Sequence, residues 1–85
     1  MRVFLAEDDA VLADGIIQAL RQNGYVVDQV ANGLDAAHML ASFAYDTAIL
    51  DLGLPGLDGL DVLKQVRAKK NTVPVLILTA RDALE

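Results

Sequence analysis

The 85-residue sequence contains no cysteine and no tryptophan, and it has only one histidine and two prolines. Without cysteine there are no disulfide bridges, no thiolate catalysis and no cysteine-ligated metals or clusters. The single histidine, His38, has no second histidine or cysteine at ligand spacing, and we interpret it as an exposed helix residue. Any metal must therefore be held by oxygen ligands.

Long hydrophobic runs and clustered basic residues are also lacking. No stretch approaches the roughly 18 consecutive apolar residues of a membrane span, and Met1 leads directly into a strand-like run without a signal-peptide pattern. We therefore predict a cytoplasmic protein without membrane contact. Seven Lys and Arg against 12 Asp and Glu give a formal net charge of −5, which argues against direct binding of nucleic-acid phosphates by this segment.

The most informative stretch present is an apolar run that ends on a carboxylate. Residues 47–50 are typical of a buried strand, Asp51 follows at once, and a loop rich in glycine and proline continues to Gly59. A charged side chain directly after a buried strand is predicted to lie at the rim of a sheet, where a cleft can use it.

A second acidic cluster, residues 7–9, follows the first predicted strand, residues 2–6. The simplest interpretation is a solvated turn in which Asp9 caps the next helix. Because the carboxyl ends of parallel strands meet at one edge of a sheet, we also expect Glu7 and Asp8 to face Asp51. Carboxylates without histidine or cysteine suit a hard divalent cation such as Mg²⁺.

Hydrophobic periodicity predicts helices over residues 10–23, 34–43 and 59–69, and two further strands over 25–30 and 73–79. Strict alternation of strands and helices indicates one small α/β domain with a doubly wound parallel sheet. Thr79, at the end of the fourth strand, would join the acidic edge. The predicted buried faces of the three helices are Leu12, Ile16, Ala19 and Leu20, then Ala36, Ala37 and Leu40, then Leu60, Leu63 and Val66 with Val62 flanking them.

A cation beside a carboxylate that is free to attack indicates phosphoryl transfer to Asp51, with the Thr79 hydroxyl donating to a phosphoryl oxygen. A flavodoxin-type flavin site is disfavoured, because Glu-Asp-Asp stands where a phosphate needs hydroxyl and N–H donors. The constellation therefore favours a phosphoacceptor over a cofactor site.

Several motifs together resemble the receiver domain of bacterial two-component response regulators. They are Leu-Ala-Glu-Asp-Asp at 5–9, Asn-Gly at 32–33, Tyr-Asp at 45–46, residues 49–59 and Ile-Leu-Thr-Ala-Arg-Asp at 77–82. Their form is similar to receivers of the winged-helix (OmpR/PhoB-like) transcription factors. The resemblance implies a flavodoxin-like fold and Mg²⁺-dependent self-phosphorylation, with a sensor histidine kinase as donor, rather than an enzyme with turnover. It also implies that the receiver controls a DNA-binding domain outside this chain. Only that domain would contact DNA.

The resemblance further implies roles for individual residues. Asp51 would be the phosphoacceptor, and Mg²⁺ would be held by Glu7, Asp8, Asp51 and the backbone carbonyl of Gly53. Thr79, Ala80 and Leu52 would contact the phosphoryl group or take part in switching.

The sequence departs from the family pattern at its end. Such receivers continue with a fifth strand, a lysine that pairs with the phosphoryl group and a switch aromatic, whereas no lysine follows Thr79 here. We interpret residues 1–85 as a receiver domain that is incomplete at its C-terminus, truncated after the fourth strand. That strand would then be an apolar edge, and we predict that the chain self-associates through it and through the sheet face that the missing helix would leave uncovered.

Two alternatives remain at this point. A phosphatase with an aspartate nucleophile would also begin from an Asp at a strand end, but its pattern needs a second acid where this chain has Gly53. An interaction module that keeps the fold without being phosphorylated is the other. Phosphorylation by a small phosphodonor would separate the latter from a working receiver.

Overall fold

A computed structural model of the chain describes residues 1–78, in which strands and helices alternate as predicted. The elements are β1 (Arg2–Ala6), α1 (Ala10–Gln22), β2 (Val26–Val30), α2 (Gly33–Ser42), β3 (Thr47–Asp51), α3 (Gly59–Ala68) and β4 (Val75–Leu78). The largest difference in the described bounds is at β4, which begins two residues later than predicted. Pro74 has no N–H for the ladder, although its carbonyl accepts the N–H of Ala48 at 2.9 Å.

The four strands form one parallel sheet in the order β2-β1-β3-β4. On one face Leu5 and Val27 pack with Ala13 of α1, and on the other Phe4 and Leu50 belong to the larger core under α2 and α3. Helices on both faces confirm the doubly wound arrangement. The register places Ala6 opposite Leu50, so the residues that follow them lie side by side at the carboxyl edge of the sheet.

The buried faces of two helices differ from the prediction. In α1 Leu12 is 40% exposed and Ala19 is also exposed, whereas Ala13 is buried and Ile17 packs on the core. In α3 Leu60 is 48% exposed and Val62 is fully buried in its place. Apolar residues occupy adjacent positions in both helices, so their spacing predicts a helix without defining its rotation. The exposure of His38 is confirmed.

The helix ends follow from local side-chain chemistry. As predicted, Asp9 caps α1 by accepting the N–H groups of Val11 and Leu12 at 3.0 and 3.1 Å, and Asp58 caps α3 through Leu60 N–H. Gly24, with φ of 85°, ends α1 in the left-handed conformation that glycine adopts freely. Asp9 and Asp58 thus determine where α1 and α3 begin after the strands β1 and β3 that end at the acidic edge.

The basic side of α3 does more than face solvent. Arg67 donates from Nη1 to the carbonyls of Asn71 and Val73 at 2.9 and 2.8 Å, which ties the α3–β4 connection to the helix. Lys64, Lys69 and Lys70 are exposed. None of the helices within residues 1–78 has the length and apolar character needed to cross a bilayer.

Candidate functional site

Three carboxylates converge at the carboxyl edge of the sheet. Glu7 and Asp8 follow β1, and Asp51 is the last residue of the neighbouring β3. One carboxylate oxygen from each of the three lies within 4.8 Å of the others. The parallel pairing of β1 with β3 produces this juxtaposition, because adjacent parallel strands end at the same edge.

Two of these carboxylates are buried side by side. Glu7 is 3% exposed and Asp51 is 4% exposed, whereas Asp8 is open to solvent. Burial raises the pKa of the Glu7 carboxyl above its ordinary value, and the negative charges of Asp51 and Asp8 raise it further. The N–H of Asp9, which donates to Glu7 Oε2 at 3.0 Å, acts in the opposite direction.

No basic side chain of the described part neutralises this cluster. Within residues 1–78 one salt bridge forms, between Arg2 and Asp28 at 3.3 Å, and it does not involve the acidic edge. Repulsion among three close carboxylates is therefore relieved only by protonation or by a bound cation. Mg²⁺ prefers carboxylate oxygens as ligands and usually keeps several of its waters. This site offers carboxylate oxygens, and the exposed side chain of Asp8 leaves it open to water.

The loop after Asp51 contains two of the other predicted site residues. Gly53 is exposed and donates its N–H to Asp51 Oδ1 at 3.3 Å, which helps to orient that carboxylate. Leu52 donates its N–H to the carbonyl of Leu78 at 3.2 Å, so in this structure the group extends the β3–β4 pairing. The roles of both residues toward metal and phosphoryl group stay predictions. Thr79 and Ala80 lie outside the described residues.

Two glycines that shape this loop were not identified from the sequence as site residues. A Cβ at Gly59 would overlap the carbonyl oxygen of Asp51, and a Cβ at Gly33 would overlap that of Leu57. Both glycines are the first residues of helices, directly after the caps Asn32 and Asp58. In the sequence, a glycine directly after a helix cap is the feature that could have identified them, because the first position of a helix does not itself require glycine.

A polar cluster that joins β1 and β2 to the α2–β3 connection was also missed. The Tyr45 hydroxyl donates to Asp28 Oδ2 at 2.7 Å, and the Arg2 guanidinium lies 5.7 Å from the Tyr45 ring centroid. The Tyr45 ring also packs against Phe4, with centroids 5.2 Å apart. Burial, together with the hydrogen bond and charge of Asp28, raises the pKa of Tyr45 to about 12. These contacts stabilise the fold and contribute nothing to the acidic site.

Residues 3–85 match the family described as the response regulator receiver domain. The chain belongs to this family. Receiver relatives include the transcriptional regulatory protein TctD of Salmonella typhimurium strain LT2, 50% identical over 84 residues, which are 99% of this chain and 38% of that protein. QseB of Escherichia coli O157:H7 is 51% identical over 85 residues, which are 100% of this chain and 39% of that protein. The chain thus spans less than two fifths of the length of these relatives.

Solved receiver structures have the same fold. The receiver domain of the sensor histidine kinase PA1611 from Pseudomonas aeruginosa PAO1, solved with magnesium in its active-site cleft, has a TM-score of 0.91 and 36% identity, covering 96% of this chain and 69% of that one. The complex of the histidine kinase ThkA with the response regulator TrrA from Thermotoga maritima gives a TM-score of 0.84 and 33% identity, covering 93% and 68%. The flavodoxin-like receiver fold is confirmed.

Membership of the receiver family confirms the resemblance read from the motifs and the general function it implied. The homologues are transcriptional regulators, and receiver domains interact with histidine kinases, as in the ThkA–TrrA complex. Receiver domains are not classical enzymes, so the family assigns the chain to two-component signalling rather than to the phosphatases with an aspartate nucleophile.

Proposed function

We propose that Asp51 is the phosphoacceptor of this receiver. The observation that carries the proposal is the position of its carboxylate, which is buried at the end of a central strand within 4.8 Å of the carboxylates of Glu7 and Asp8. A nucleophilic carboxylate is effective when it is held in one orientation toward the phosphorus atom that it attacks. Gly53 N–H helps to hold that orientation by donating to Asp51 Oδ1.

The residues present fit a divalent cation. Glu7, Asp8 and Asp51 supply carboxylate oxygens, and the backbone carbonyl of Gly53 is proposed as a further ligand. The buried pair, Glu7 and Asp51, supplies fixed charge, while exposed Asp8 leaves the site open to solvent and to a phosphodonor. When bound, Mg²⁺ neutralises the charges of the carboxylates and of the phosphoryl oxygens, which lets a negatively charged donor approach.

The reaction is a phosphoryl transfer to a carboxylate. An oxygen of Asp51 forms the new P–O bond, and the bond between phosphorus and the donor breaks, with its electron pair leaving on the donor. For a phosphohistidine donor the broken bond is P–N, and the product on this chain is an aspartyl phosphate. Glu7 is proposed to hold the cation rather than to attack.

In the whole protein we propose a sensor histidine kinase as donor and a DNA-binding transcription-factor domain as output. Support comes from the transcriptional regulators TctD and QseB, whose lengths extend well beyond this chain, and from the ThkA–TrrA complex. A protein that regulates transcription acts where the DNA is, so the proposed location is the cytoplasm. DNA contact belongs to the output domain, since the net charge of −5 on this chain disfavours phosphate binding.

The phosphoacceptor is tested by incubating the chain, and a longer form that includes the output domain, with acetyl phosphate and Mg²⁺. We expect one phosphoryl group on the wild type, detected as a mass increase that is lost on alkaline treatment. Asp51→Asn should abolish the modification. The matched control is Asp61→Asn, which removes one exposed carboxylate from α3 and should be labelled normally.

Label that survives Asp51→Asn would transfer the acceptor role to another carboxylate. Failure of the wild type in both lengths would favour the non-phosphorylated interaction module.

A further inference from the structure

The start of α2 lies directly against the loop that follows Asp51. Gly33, the first residue of α2, is buried and donates its N–H to the carbonyl of Pro55 at 2.9 Å. The same carbonyl accepts the N–H of Leu57 at 3.0 Å. The Pro55 carbonyl therefore links segment 55–57 of the loop to the first residue of α2.

The contact leaves no room for a side chain at Gly33. A Cβ there would overlap the carbonyl oxygen of Leu57 and would lie 2.6 Å from its carbonyl carbon and 2.8 Å from its Cβ. Two of these three atoms are backbone, so a change of rotamer cannot relieve the overlap. Among the glycines of residues 1–78 positive φ angles occur at Gly24 and Gly56 but not at Gly33, so the close approach, and not the backbone angle, requires this glycine.

The loop would move more easily than the helix if the space were filled. Ala36 and Leu40 anchor α2 in the core with 0% and 2% exposure, whereas Pro55 and Gly56 are exposed. The far end of the loop is also fixed, because the N–H of Gly59 donates to the carbonyl of Leu52 at 3.3 Å. Between them, Leu54 is buried in the core with 6% exposure, so a displacement of segment 55–57 acts on Gly53 through this residue.

We propose that Gly33 is a positioning residue for the metal site. Because Gly33 has no side chain, α2 can hold segment 55–57 in the position from which the Gly53 carbonyl would serve as a metal ligand. Gly53 is two residues from Asp51 and two from Pro55, and its N–H already contacts Asp51 Oδ1 at 3.3 Å. The inference rests on the proposed function, in which the Gly53 carbonyl is a metal ligand.

The test measures Mn²⁺ affinity of the full 85-residue chain by electron paramagnetic resonance of the free ion. Gly33→Ala should weaken binding about 10-fold, as expected when a group that orients a metal ligand is displaced. Gly15→Ala is the matched control, because a Cβ at that helix position meets nothing within 4 Å. Val66→Ala, in the core under α3, controls for lost stability. Both controls should keep wild-type affinity at a temperature where each variant is folded.

Unchanged Mn²⁺ affinity in folded Gly33→Ala would overturn the positioning role, and so would an equal loss in Val66→Ala. If Gly33→Ala does not melt cooperatively, Gly56→Ala takes its place, since it strains the same segment at an exposed position with φ of 82°. Its affinity should also fall, and wild-type affinity there would overturn the proposal. Absence of Mn²⁺ binding to the wild type would instead overturn the metal site itself, and the positioning role with it.

Discussion

Neutralising Glu7 should stabilise the metal-free domain, although the residue is buried and polar. Glu7→Gln keeps the shape of the side chain and an oxygen that can accept the Asp9 N–H, while it removes one of two buried charges. Two full charges at the 4.8 Å limit of the cluster repel by about 3.5 kcal/mol at an effective dielectric constant of about 20.

The net gain should be smaller than this repulsion, because the raised pKa of Glu7 already lets protonation relieve part of it. We expect the free energy of unfolding to rise by about 1–2 kcal/mol, which corresponds to about 5–15 °C in melting temperature for a domain of this size. The assay is thermal unfolding followed by circular dichroism at about pH 7.5 in excess chelator. Asp61→Asn, which changes the net charge equally at an exposed position, should melt like the wild type.

Magnesium should narrow the difference in stability between the two proteins. A site filled at ten times its dissociation constant stabilises the wild type by about 1.4 kcal/mol. Glu7→Gln has one ligand fewer and should gain less than half of this. A melting temperature in chelator at or below that of the wild type would refute the reasoning, because it would mean that the Glu7 charge is compensated in the metal-free fold.

Three further predictions address the metal site, the polar cluster and the edge of the sheet. Millimolar Mg²⁺ should raise the melting temperature of the wild type but not of Asp8→Ala, and an equal rise in both would exclude Asp8 as a ligand. Because the pKa of Tyr45 is raised from 10.0 to about 12, its contribution to stability should be complete below pH 10 and be lost as the pH rises to about 12. Urea titrations should show this loss as a steeper alkaline slope than in Tyr45→Phe, and parallel slopes would contradict it. The 85-residue chain should self-associate at micromolar concentration through β4, where Leu76 is 59% exposed on the outermost described strand. Leu76→Glu should reduce the sedimentation coefficient, whereas a monomeric wild type would show that this edge does not pair.

The sequence alone predicted the order of the elements and the acidic edge. Helical and strand periodicities are local properties, so each element could be located to within two residues in its described bounds. A carboxylate that ends an apolar run, as Asp51 does, is expected at the rim of a sheet, because burying its charge in the core would cost too much free energy. Once the strands are parallel, geometry brings Glu7 and Asp8 to the same rim, and no knowledge of side-chain packing is needed for that step.

Packing decided what the local patterns left undetermined. Whether Leu12 or Ala13 faces the sheet depends on how closely α1 can approach it, and the smaller residue is the buried one. The contact of Gly33 with Leu57 and the bond from Tyr45 to Asp28 join residues far apart in the chain. Such contacts depend on the relative positions of whole elements, which no window of sequence contains. Only the tertiary structure therefore revealed which carboxylates are buried and which glycines hold the loop beside them.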